Sequence, residues 1–97
     1  MARGFSTDVH GKPFDQYIID AVWSKAIIVH DVLKNEARMD KCNIPISKID
    51  YCATTEFGWE IDHITPVSKG GTDDMDNLQP LHWKNNRKKG NNIDWKC

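Results

Sequence analysis

A chain of 97 residues has room for one modest hydrophobic core and little for a second. Its 39% hydrophobic and 28% charged content lies well away from the low-hydrophobicity, high-charge compositions that stay unfolded. The net charge of −1 excludes a strong overall pull on polyanions, but residues 83–97 carry Lys84, Arg87, Lys88, Lys89 and Lys96 against Asp94, a net +4 that leaves −5 on residues 1–82.

Residues 1–13 are polar and punctuated by Gly4, Gly11 and Pro13, which predicts a loosely held lead-in without a functional role. From there Phe14, Tyr17, Ile18, Ala21 and Val22 fall at the spacing of an amphipathic helix, with Pro13 and Asp15 suited to its start. The run Ala26-Ile27-Ile28-Val29 reads equally as a short strand or as the tail of that helix. Residues 31–58 alternate only briefly, at Ile44, Ile46 and Ile49, and predict irregular structure with short strands at most.

The C-terminal part is more regular. Trp59-Glu60-Ile61-Asp62-His63-Ile64 alternates apolar and polar side chains as a half-buried strand does, and Pro66 ends it. A loop rich in glycine and aspartate follows at residues 68–74, then a second short strand at residues 77–82 whose Pro80 implies an imperfect ladder. Residues 83–89 predict a short basic helix stopped by Gly90, with cations in the last turn where the helix dipole favours them.

No stretch approaches the roughly 18 apolar residues that span a bilayer, and the N-terminus lacks the apolar segment of a secretory signal. A cytoplasmic address without membrane association is therefore expected. Cys42, Cys52 and Cys97 show no disulfide-like spacing and form no CxxC pair, which predicts reduced thiols. The rival reading gathers them with His82 around a structural zinc.

Asp62-His63 closing a strand, Asn77 opening the next, and Asn86 followed by Lys89-Gly90 on a basic helix together resemble the HNH endonuclease family. The resemblance covers about a third of the chain and implies a ββα-metal unit at residues 59–90. The expected fold is thus a single α+β domain, with residues 14–58 supplying an N-terminal helix and irregular support.

The resemblance also implies the site. Phosphodiester hydrolysis needs an activated water and a hard cation on the phosphate; Asp62 and Asn86 offer oxygen ligands for one Mg²⁺ or Mn²⁺, with Asn85 the rival for the second position. His63 is the expected general base, because an imidazole can take a proton from water at neutral pH. Adjacent strand residues point to opposite faces, so Asp62 and His63 share one site only if the strand ends or bulges there. Asn77 is expected to brace the loop and orient His63 through hydrogen bonds instead of binding metal. Many HNH proteins clamp this site with two CxxC pairs; His82 and Asn85 stand where the second pair would be, which argues against a structural zinc.

Lys69, His82, Lys84, Arg87, Lys88 and Lys89 are the expected contacts to nucleic acid, the basic ones through backbone phosphates without sequence reading. For His82 a structural place in the second strand stands beside that reading, and Trp23, Trp59 and Trp83 are expected to anchor the core. The expected activity is nicking of DNA, single- or double-stranded, with low specificity; a homodimer or partner protein is left open. The competing expectation is an HNH-shaped binding or assembly module without turnover.

Overall fold

The structure, a computed structural model, describes residues 4–30 and 36–97. Asp15 is extended and its carbonyl accepts from the N–H groups of Ile18 and Ile19, opening helix α1 at Gln16–Trp23. The buried face of α1 is Ile19, Val22 and Trp23, continued by Ala26, while Phe14 and Ile18 pack at its edge. Tyr17 is 69% exposed and Ala21 is exposed, so the predicted stripe is rotated by about one residue. Two overlapping stripes compete for the core, and the one carrying Trp23 buries more apolar surface.

The end of α1 is capped from outside the helix. The buried guanidinium of Arg38 donates to the carbonyl oxygens of Trp23, Ser24 and Ala26 at 3.4, 3.0 and 3.4 Å, satisfying acceptors that a helix C-terminus leaves open. Arg38 sits on strand β1 (Ala37–Met39), which pairs antiparallel with β2 (Pro45–Ser47). The run at residues 26–29 is neither strand nor helix tail; Ile27 makes one isolated bridge to Met39. Ile46 is buried, whereas Ile49 is 90% exposed, so the expected alternation extends only over β2.

The second hairpin joins β3 (Trp59–His63) to β4 (Leu78–His82), antiparallel, with Asp62 opposite Gln79 and His63 opposite Leu78. Helix α2 (Trp83–Lys89) follows β4 directly and ends at Gly90. Trp23 and Trp59 meet at 5.2 Å between ring centres, and with Val22, Ile46, Ile61 and Leu78 they form the core that fixes this ββα unit against α1. The Lys25 ammonium donates to the carbonyl oxygens of Met75 and Leu78, tying the end of α1 to the start of β4. The fold is α+β, and no described helix is long and apolar enough to cross a membrane.

The cysteines correct one expectation. Cys42 and Cys97 are joined in a disulfide across a sequence separation of 55, and Cys52 is free and exposed. The sequence carries no local signal for this pair because only the folded chain brings the C-terminal tail to the β1–β2 turn.

Candidate active site

The loop between β3 and β4 sets the site. Ile64 N donates to Asn77 O at 2.8 Å just after β3 ends, and the Asn77 side chain accepts from Thr65 N (2.8 Å) while donating to Thr65 O (3.2 Å) and Thr72 O (2.8 Å). One amide thus laces both flanks of the loop. Gly71 makes the lacing possible: a Cβ there would lie 1.7 Å from Thr65 O, so only glycine permits this approach. Asn77 braces the loop, as the resemblance implies, but makes no hydrogen bond to His63 itself.

That loop delivers Asp73. Its Oδ1 meets His63 Nε2 at 2.8 Å, and its Oδ2 accepts from Val9 N at 3.2 Å. The His63 ring is buried, packs 6.0 Å from the Phe14 ring, and has no hydrogen-bond partner at Nδ1 among the described residues. His63 is the last residue of β3, so the alternation of faces ends there. Asp62, His63 and Asn86 accordingly line one cavity of about 130 Å³, together with Gly90 and the segment Gly4–Ser6.

Asp62 is buried, and Gln79 Nε2 donates to its Oδ2 at 2.9 Å from the opposite strand. Burial raises its pKa above the ordinary carboxylate value, opposed by the Gln79 hydrogen bond and the Lys89 charge. Lys89 is itself 3% exposed; it donates to His63 O at 2.9 Å and lies 3.3 Å from Asp62 Oδ1. It departs from the sequence expectation of a surface phosphate contact, because the last turn of α2 points it back under β3.

Asn86 donates from Nδ2 to Glu60 Oε1 at 2.9 Å. An ionised carboxylate only accepts, so the amide must present its nitrogen to Glu60 and keep its oxygen free. Asn85 does not line the cavity; its Nδ2 donates to Asp40 Oδ2 at 2.9 Å.

Asp40 was missed by sequence reasoning and is fully buried. Its carboxylate accepts from Cys42 N, Ile44 N, His82 N and Asn85 Nδ2. It therefore binds together positions 82 and 85, where a second CxxC pair would stand. Among the described residues no three His, Cys, Asp or Glu side chains are grouped to hold a metal ion.

His82 takes the structural place that stood beside the nucleic-acid reading. Its Nδ1 accepts from Lys84 N at 3.1 Å, capping α2, and its Nε2 donates to Glu56 O at 2.8 Å, so both ring nitrogens are committed within the fold. Lys69, Lys84, Arg87 and Lys88 are exposed. Arg87 stacks between Phe5 (4.2 Å) and Trp83 (5.2 Å) and donates to Glu60 Oε2 at 3.3 Å. The lead-in segment, expected to have no role, is thus part of the site's wall. Ser6 takes left-handed backbone (φ 55°) there, accepts from Ile61 N at 2.8 Å and shares a hydrogen bond with the Tyr51 hydroxyl.

Residues 41–92, a little over half of the chain, match the family of HNH endonucleases. The chain belongs to the HNH endonuclease family. No curated protein and no solved structure matches it. The HNH match contains β3, the laced loop, β4 and α2, and so every residue of the predicted site. Members of this family act on nucleic acids, typically with a divalent metal.

Proposed function

We propose that this HNH protein is an endonuclease that hydrolyses DNA phosphodiester bonds with one divalent cation, Mg²⁺ or Mn²⁺. The observation that carries the reading is the meeting of Asp62, His63 and Asn86 at one cavity, with a ring nitrogen of His63 left unengaged. Asp62 and the Asn86 amide oxygen are hard oxygen donors and suit such an ion, which keeps several waters and needs few protein ligands. The cation, when bound, polarises the phosphate and offsets charge on the leaving oxygen.

His63 takes a proton from water, whose oxygen bonds to phosphorus as the bond to the 3′-oxygen breaks. That oxygen is protonated by solvent, leaving 5′-phosphate and 3′-hydroxyl ends. Lys69, Lys84, Arg87 and Lys88 hold the phosphate backbone without reading sequence. Asn77 acts by bracing the loop that reaches His63. With one site per chain, nicking is the expected outcome.

A binding module without turnover is favoured by the Lys89 ammonium and the Gln79 amide, which already engage both Asp62 oxygens. Cleavage of supercoiled plasmid at low salt separates the two readings. Wild type nicks with Mg²⁺ or Mn²⁺ and not with EDTA, and His63→Ala loses at least about 100-fold of that activity. Inactivity of wild type with every metal on duplex and single-stranded DNA, or an equally active variant, would overturn the nuclease reading.

A further inference from the structure

Asp73 contacts His63 but lies outside the Asp-His-Asn-Asn set that the nuclease reading uses. We propose that Asp73 is a positioning residue that fixes the tautomer of His63, so that Nε2 carries the proton and the Nδ1 lone pair is the base; the inference rests on the proposed function. A carboxylate has no proton to give, so the 2.8 Å contact at Nε2 makes that nitrogen the donor. The neutral ring then has its lone pair at Nδ1, the nitrogen without a partner among the described residues.

The carboxylate is held from its other side as well. Its second oxygen accepts from Val9 N, and the loop behind it is laced by Asn77 and closed by the Gly71 approach to Thr65. Phe14 packs on the imidazole, limiting its rotation. When water gives its proton to Nδ1, both ring nitrogens are protonated, the Nε2–H stays on Asp73, and the imidazolium forms beside a negative charge. The proton added at Nδ1 later returns to solvent. Asp73 takes up no proton in this step.

Asp73→Asn tests the idea because an amide can satisfy Val9 N–H with its oxygen only by turning its NH₂ toward His63. That NH₂ must then donate to Nε2, which moves the ring proton to Nδ1 and removes the lone pair. The expected result is a fall in kcat of about 10²- to 10⁴-fold, with the Kd for uncleaved DNA in Ca²⁺ changed by no more than about twofold. Asp73→Glu recovers part of the rate.

Nitrogen-15 NMR of the histidine rings, without metal and at alkaline pH, gives the second readout. Wild type shows His63 protonated at Nε2, and Asp73→Asn shows it protonated at Nδ1. A wild-type spectrum with the proton on Nδ1 overturns the proposal without need of any variant. So does an Asp73→Asn protein whose kcat stays within about threefold of wild type. An inactive wild type that still shows the Nε2 proton and the inverted variant would sink the nuclease reading alone.

Discussion

Lys89 and Asp62 form a buried ion pair. Both are almost entirely buried, and each loses the partner it was folded against if the other is removed. Breaking such a pair leaves one uncompensated charge inside the protein, at about 3 kcal/mol or more. Lys89→Met should therefore lower the unfolding free energy in urea by about that amount. Because the stranded charge is the Asp62 carboxylate, millimolar Mn²⁺ should restore part of the loss. A variant as stable as wild type would mean that the pair contributes nothing net, and a loss unaffected by Mn²⁺ would count against Asp62 as a ligand. Asp73, by contrast, has a side chain 34% exposed, so its effect on His63 is geometric, with little stability at stake.

At the level of elements, α2 is seated on the β1–β2 turn by Asp40, which meets the backbone of His82 and the side chain of Asn85 while closing its own turn through Cys42 N and Ile44 N. Asp40→Ala strands these four donors, His82 N buried and the others partly so, and should cost about 3 kcal/mol or more in a urea titration. A cost below about 1 kcal/mol would show that water replaces the carboxylate.

The elements differ in how far the sequence discloses them. The strand at 59–63 is legible in its place but not as half-buried, since all five of its residues are buried, Glu60 and Asp62 included; the helix at 83–89 and its stop at Gly90 are legible from basic residues and glycine together. Helix α1 is legible as a helix but not in its orientation, since Tyr17 and Trp23 belong to competing stripes and only the partner Trp59 decides between them. Asp62, His63 and Asn86 are legible through the resemblance to the HNH family. Asp73 and Asp40 are not, because an aspartate in a turn looks the same whether it caps its own backbone or reaches a histidine ten residues away. Ser6 is equally silent, as a polar segment rich in glycine has no period to read.

For the whole molecule, the disulfide between Cys42 and Cys97 closes more than half of the chain into one loop. A loop of that length stabilises by about 4 kcal/mol through the entropy it removes from the unfolded chain. Non-reducing mass spectrometry after alkylation should find a single labelled thiol, at Cys52, and reduction should shift the urea midpoint downward. Three labelled thiols would instead return all the cysteines to the reduced state expected from the sequence. Such a bond persists in oxidising compartments and is uncommon in a reducing cytosol, so the labelling result also bears on the expected cytoplasmic address.

The corner around Asp40 is held by a carboxylate collecting N–H groups, and that separates two operations that coincide in a zinc-clamped fold. A chelator acting on this protein takes nothing from the corner that seats α2. On the nuclease reading it withdraws only the ion at Asp62 and Asn86, so the protein can be purified and loaded onto its substrate in a folded, silent form. Adding the cation then starts every molecule together, which makes single-turnover timing of the cut accessible without a trapped intermediate or a crippled variant.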